Sequence, residues 1–167
     1  MNHFGIGYDT HRLVDGRKLI LGGVEIAHPK GLLGHSDADV ICHAVADALL
    51  GAVAAGDIGQ HFPNTDASIA GISSLEILRR TRQILAAANA RPINIDAMVV
   101  AEAPKIAPHI AAMRANLSEA LQLPIERISI KATTNEGMGF LGRGEGISVM
   151  AVAGVEKLPD PTFYPNI

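Results

Sequence analysis

Residues 31–51, GLLGHSDADVICHAVADALLG, run from a glycine-flanked loop straight into a helix, and this stretch limits the fold more than any other. Val40, Ile41, Ala44, Val45, Ala48, Leu49 and Ala52 recur at spacings of three and four, which predicts a helix face packed in a core. Asp39, His43 and Asp47 fall at i, i+4 and i+8 on a different stripe of that helix. A histidine between two carboxylates on one stripe can ligate a metal with one ring nitrogen while a carboxylate orients the other. The alternative is an exposed polar stripe around an ordinary histidine.

A chain of 167 residues with 48% hydrophobic content is long enough for one filled core and short for two, so one domain is expected over residues 1–157, followed by a proline-rich tail, 158–167. The net charge of -3 and scattered Lys and Arg argue against a nucleic-acid surface, which needs clustered positive charge. Cys42 is the single cysteine; it rules out an internal disulfide framework, fits a reducing compartment and reads as core filler. No apolar run approaches the roughly 20 residues needed to span a bilayer, and the first residues lack the basic and apolar regions of a signal peptide. A cytoplasmic protein without a membrane partner is the expectation. Aromatic content is 4%, so stacking platforms for bases are scarce.

Residues 3–9 alternate, with Phe4, Ile6 and Tyr8 on one side and His3, Gly5, Gly7 and Asp9 on the other, as a half-buried strand does. If the extended conformation continues, Asp9 and His11 point the same way at the strand end. Residues 18–26 read as two short strands joined at Gly22-Gly23, and residues 27–34 as a loop leading to the central helix. Residues 55–72 form a long loop, either a binding lid or a plain surface excursion. A capping-box pattern, Ser73 to Glu76, opens a second helix to about residue 89. A third strand covers residues 95–102, a third helix starts near Pro108 and ends before Pro124, and residues 127–133 and 146–155 are the last strands. The order predicts an α+β two-layer sandwich, three helices on one face of a mixed β-sheet. One short chain has nothing left to cover the other face, which predicts self-association.

Three constellations could carry chemistry. Asp9, His11 and His43 make a two-histidine, one-carboxylate set suited to Zn²⁺ with a fourth position open, and equally able to hold Fe(II) or Mn²⁺. His35 and Ser36 precede the helix, where they could meet a phosphate, while Ser36 or Asp37 could simply cap it. Residues 131–136, KATTNE, end a strand with hydroxyls for phosphate oxygens and a carboxylate for a second hard cation such as Mg²⁺; ordinary turn chemistry is the other reading. Residues 137–142 spell G-x-G-x-x-G, but a strand follows rather than a βαβ unit, so a dinucleotide site is rejected. Arg143 and Glu145 in this glycine run could form an ion pair.

With Gly7-Tyr8-Asp9-Thr10-His11, then Gly34-His35-Ser36-Asp37-Ala38-Asp39, His43, Gly56-Asp57-Ile58-Gly59 and Lys131-Ala132-Thr133-Thr134 in this order, the chain closely resembles the 2-C-methyl-D-erythritol 2,4-cyclodiphosphate synthase family over residues 3–156. The resemblance implies a homotrimer whose sheets face a central axis, with active sites between neighbouring subunits. It implies attack of the 2-phosphate of 4-diphosphocytidyl-2-C-methyl-D-erythritol 2-phosphate on its own β-phosphorus, releasing CMP, in non-mevalonate isoprenoid biosynthesis. Both reacting groups sit on one molecule, so catalysis would be mostly orientation and charge neutralisation.

Carried over by position, Asp9, His11 and His43 correspond to zinc ligands, one Zn²⁺ per subunit, with Thr10 beside them among the substrate contacts. His35 and Thr134 resemble transition-state stabilisers and Ser36 a phosphate contact, with Thr133 and Asn135 on either side of Thr134 among the substrate contacts, and Glu136 resembles the carboxylate associated with a Mg²⁺ or Mn²⁺ ion bridging the diphosphate. Asp57, Ile58 and Gly59, with Phe62, Pro63, Asn64, Thr65 and Asp66, match a mobile loop contacting the methylerythritol part; Asn64 and Ala67 replace a common Asp and Pro. Ala101, Glu102, Ala103, Pro104, Lys105, Ile106 and Ala107 match the cytidine pocket supplied by a neighbouring subunit. Phe140 and Arg143 match positions lining the trimer axis, where family members can hold an isoprenoid diphosphate. Two other functions stay open: a metal-dependent phosphohydrolase, in which the open metal position activates water, and, on the trimer axis that the resemblance implies, a non-catalytic trimer that sequesters isoprenoid diphosphates.

Overall fold

In the computed structural model, which describes residues 1–157, the first strand β1 (Asn2–Asp15) alternates as its sequence predicts. The buried side is the unexpected one. Phe4, Ile6 and Tyr8 are 72%, 71% and 55% exposed, and the strand turns Gly5 and Gly7 to the core instead. The reason is the central helix α1 (Val40–Ala52), which lies directly on those glycines. A Cβ on Gly5 would sit 2.0 Å from the carbonyl oxygen of Ala48, and one on Gly7 2.0 Å from that of Ala44. Strand and helix therefore meet backbone to backbone, which only glycine allows at such range.

Beyond β1 the chain forms a hairpin of β2 (Leu19–Leu21) and β3 (Val24–Ile26), then β4 (Lys30–Leu32), a short strand within the loop expected over residues 27–34. Gly22 and Gly23 make the hairpin turn with φ of 54° and 70°, as the pair suggests. The long loop expected over residues 55–72 contains a one-turn helix, α2 (Ile58–His61), and a 3₁₀ turn, Ala67–Ile69. Then follow α3 (Ser74–Ala87), β5 (Ala90–Val100), α4 (Ile110–Leu121), β6 (Ile128–Thr133), a one-turn helix α5 (Gly139–Gly142) within the glycine run, and β7 (Gly146–Lys157).

Five strands form a mixed sheet in the order β4-β1-β7-β5-β6, with β5 and β6 parallel and the other neighbours antiparallel. Helix α1 packs on β1 and β7, α3 on β5 and α4 on β6, while α3 touches both α1 and α4. The fold is thus a mixed α+β arrangement. Ile147, Val149, Ala151, Ala153 and Val155 of β7 point into the core, and Met150 and Val152, on the opposite side, are each 48% exposed. They share the uncovered face with Phe4, Ile6 and Tyr8, since Tyr8 pairs with Met150 and Ile6 with Val152 in the β1–β7 register. Together the five side chains make one exposed apolar patch on the sheet.

Helix α1 is buried more completely than a single apolar face predicts. Cys42, Ala46 and Leu50 are fully buried along with the expected stripe, leaving His43, Asp47 and Gly51 as the positions outside the core. Among the described residues no helix is long and apolar enough to cross a membrane. The proline-rich tail, 158–167, lies outside the described residues.

Candidate metal centre and the cleft around it

Asp9 and His11 leave β1 on the glycine side, two residues apart, and the close approach of α1 carries His43 to meet them. Asp9 Oδ2 lies 3.0 Å from His11 Nε2 and 3.0 Å from His43 Nδ1, and the two nitrogens are 3.2 Å apart. Donors about 2.0 Å from a tetrahedral ion sit about 3.3 Å from one another, so this triangle fits one metal ion with little adjustment. Oxygen and two imidazole nitrogens suit Zn²⁺ and several other divalent ions alike. Gly34 lets the preceding loop pass the site, since a Cβ there would come within 2.8 Å of the Ala38 Cβ and 3.3 Å of the His11 ring.

The electrostatics show a cluster that calls for positive charge at its centre. Burial by itself would raise the Asp9 carboxyl, but hydrogen bonds from His11 and His43, and their charge, hold it well below the usual carboxylate range. Burial would likewise lower His43, yet the Asp9 hydrogen bond and charge, helped by Asp39 and Asp37, raise its pKa. A proton or a metal cation can meet the demand, and the two compete. This gives an expected pH dependence. In metal-stripped protein the folded pKa of His43 lies above the ordinary 6.5, so its stabilising contribution is complete below that value and is lost as pH rises through the folded pKa. The depressed Asp9 acts in the opposite direction, losing its contribution as the solution is acidified below the ordinary carboxylate value of 3.8. Saturating metal binds the deprotonated ring and should remove the decline on the alkaline side. Melting curves across neutral pH, with chelator and with metal, check this: a chelated protein whose midpoint rises through that range would contradict it.

One expectation about the helix stripe is corrected. Asp39 does not flank His43; it is fully buried as the N-cap of α1, accepting from Ile41 N at 3.1 Å and Cys42 N at 3.2 Å. It also accepts from Gly22 N at 2.9 Å and Gly23 N at 2.7 Å, pinning the hairpin to the helix. Neither Ser36 nor Asp37 caps α1. Asp37 reaches α3 instead, where Oδ2 accepts from Ser74 N at 2.9 Å, and Ser73, the expected capping side chain, makes no cap bond. Asp47 stays on the His43 stripe and accepts from Ile58 N at 2.7 Å, tying α2 to α1. Cys42 is buried core, donating its thiol to Asp39 Oδ2 at 3.3 Å.

A cleft of about 220 Å³ opens over the cluster, with Asp9, His11, His35, Ser36 and His43 on the polar side and Ile58, Phe62, Ile69, Ile72 and Ile77 on the apolar side. Gly59 and Asn64 complete its lid edge, whereas Pro63, Thr65 and Asp66 are exposed on the same segment. The Asp57 carboxylate caps α2, accepting from Gln60 N at 2.9 Å. The remaining sequence-predicted residues form a second group at the end of β5 and β6. There Ala101 N donates to Thr133 O at 3.0 Å, and Glu102 Oε1 accepts from Asn135 N at 2.9 Å and Gly137 N at 3.3 Å. Thr134 Oγ1 donates to Glu136 Oε1 at 2.8 Å within that turn. Lys105 and Ala107 are exposed beside it and Ile106 is buried. Among the described residues this group does not line the cleft of its own chain. Phe140 shares a separate hollow with Thr10 and His11, and Arg143 pairs with Glu145 at 2.6 Å, the ion pair the sequence suggested.

An α+β sheet with a two-histidine, one-carboxylate cluster facing a half-apolar cleft is the arrangement of a candidate metal-dependent enzyme site. The family model described as the YgbB family matches residues 2–156, and the chain belongs to that family. It is 60% identical over 151 residues to the 2-C-methyl-D-erythritol 2,4-cyclodiphosphate synthase of Alkaliphilus metalliredigens, covering 90% of this chain and 95% of that one. The solved structure of the Plasmodium falciparum IspF in complex with CDP is similar at a TM-score of 0.82 and 32% identity, over 95% of this chain and 97% of that one. The bifunctional IspDF of Campylobacter jejuni matches at a TM-score of 0.90 and 38% identity over 95% of this chain, which spans 43% of that longer protein.

Proposed function

We propose that residues 1–157 form a single synthase domain that converts 4-diphosphocytidyl-2-C-methyl-D-erythritol 2-phosphate to 2-C-methyl-D-erythritol 2,4-cyclodiphosphate and CMP, a cytoplasmic step of non-mevalonate isoprenoid biosynthesis. The observation that carries this reading is the Asp9–His11–His43 triangle opening onto a cleft, in a chain of this family. A 2-phosphate oxygen forms a bond to the β-phosphorus, the bond from that phosphorus to the bridging oxygen breaks, and the electron pair leaves on CMP. No water is consumed.

Asp9, His11 and His43 would hold Zn²⁺, which when bound supplies Lewis-acid polarisation of a phosphoryl oxygen. Glu136 would hold Mg²⁺ or Mn²⁺ on the diphosphate. His35 and Ser36, on the polar wall of the cleft, donate to phosphate oxygens as charge shifts toward the leaving group. The apolar wall from Ile58 to Ile77 keeps water from the reacting phosphorus, which supports cyclisation over the hydrolytic alternative. The test is product analysis on the diphosphocytidyl substrate. A cyclic diphosphate with one CMP per turnover is expected, and a linear hydrolysed product would overturn the reading in favour of a phosphohydrolase.

Ala101 to Ala107 would complete the cleft of a neighbouring subunit in a homotrimer and bind the cytidine moiety, with Lys105 at its edge, while Thr134, beside Glu136, would stabilise the transition state. The helices would then share the outer face of each sheet, and the uncovered Phe4, Ile6, Tyr8, Met150 and Val152 would line the trimer's interior. Phe140 and Arg143 would lie near the axis, able to face an isoprenoid diphosphate there. Ile6→Asp places a charge on that patch, and sedimentation should show the trimer's mass replaced by that of the monomer, with turnover lost in parallel. A monomeric wild type would sink the assembly.

A further inference from the structure

His43 is held on both edges of its ring. Nδ1 faces Asp9 and His11, while Nε2 lies 3.0 Å from Ser36 Oγ and 3.0 Å from Ser74 Oγ. An imidazole that gives its Nδ1 lone pair to a metal carries its proton on Nε2, so a hydroxyl oxygen there must accept. The two serines are not equivalent in this respect. Ser74, the first residue of α3, is fully buried, and its hydroxyl donates to Asp37 Oδ1 in a short hydrogen bond while its backbone N–H donates to Asp37 Oδ2. Its single proton is committed to Asp37, which leaves an oxygen lone pair for His43 Nε2–H. Ser36 Oγ already accepts from Ala38 N at 3.0 Å and borders the cleft, so its own proton can turn toward a ligand.

We propose that Asp37 and Ser74 are positioning residues that fix His43 in the Nε2–H tautomer and keep Nδ1 aimed at the metal, freeing the Ser36 hydroxyl to serve the substrate. The chain Asp37, Ser74, His43 spans three segments: the loop before α1, the start of α3, and α1 itself. The bond that caps α3 thereby also orients a ligand on α1. This inference rests on the reading of Asp9, His11 and His43 as a metal centre.

The experiment is competition for Zn²⁺ against a chromophoric chelator, with wild type, Ser74→Ala, Ser74→Thr, Asp37→Asn and Ser36→Ala as full-length protein. Loss of an outer partner of a ligating histidine weakens metal binding by about 10–100-fold, and that loss is expected for Ser74→Ala and Asp37→Asn. Ser74→Thr keeps the hydroxyl and should bind more tightly than Ser74→Ala; Ser36→Ala should stay near wild type. Co²⁺-loaded Ser74→Ala should also show an altered visible absorption band, a change that lost helix capping alone does not produce. Wild-type affinity in Ser74→Ala, or the large loss falling on Ser36→Ala instead, overturns the assignment. Should Ser74→Ala not fold, Asp37→Asn decides, because it leaves the hydroxyl in place. A wild type that binds no Zn²⁺ would instead defeat the metal-centre reading beneath it.

Discussion

His43→Ala is expected to purify as folded protein and to lose turnover by about 10⁴-fold, the equivalent of about 5.5 kcal/mol of transition-state stabilisation. The ring contributes one of the triangle's three donor atoms, and its side chain, 12% exposed, stands outside the packed stripe of α1. Removing it leaves Asp9 and His11 as a two-donor set that cannot fix an ion's geometry. Metal analysis and steady-state kinetics on one preparation are the check. A variant still carrying one metal per chain, or one with activity within tenfold of wild type, would remove His43 from the ligand set. Far-ultraviolet circular dichroism separates this outcome from simple unfolding.

The second large effect is expected at a residue with no functional group. Gly7→Ala places a Cβ 2.0 Å from the Ala44 carbonyl oxygen and 2.8 Å from Ala48 N, both backbone atoms of α1 that cannot rotate away. The helix must lift off β1, which carries His43 away from Asp9 and His11. Overpacking of this kind costs about 1–3 kcal/mol or more of stability, and the metal affinity should fall along with it. The expected signature is a lowered melting midpoint together with weak metal binding. Gly51→Ala, within α1, serves as the comparison for sterics, because a Cβ there meets only the Ile6 carbonyl oxygen, at an ordinary 3.9 Å. If Gly7→Ala melted and bound metal like wild type, the close strand-to-helix approach would not be what assembles the site.

Much of this was legible in the chain itself. Asp9 and His11 are two apart in a strand, so period-two geometry places them on one side, and the 3.6-residue period puts His43 off the main packing stripe. What spacing could not reveal is which side of β1 faces inward. Apolar alternation suggests that Phe4, Ile6 and Tyr8 are core, yet the two glycines are, because a helix backbone fills the room their side chains leave. The partners of His43 were hidden for another reason. Ser74 and Asp37 are 37 residues apart and look like ordinary helix-start residues, and only the packing of α3 beside α1 brings them to the same ring. Asp39 misled in the reverse direction, since a carboxylate four residues before a histidine resembles a pair until the helix N-terminus claims it.

The clamp at Asp39 gives the cleft one stiff jaw. Four backbone amides and a thiol converge on that single buried carboxylate, so the hairpin tip and the first turn of α1 move only as one piece, with His43 a turn away. The opposing rim is tied to α1 by the bond from Ile58 N to Asp47, a carboxylate whose pKa partial burial raises, and to the loop before α1 by Gly71 N on His35 O at 3.0 Å and Asp37 N on Ile72 O at 3.2 Å. The His43 side of the triangle is thereby anchored to the hairpin as well as to its own helix.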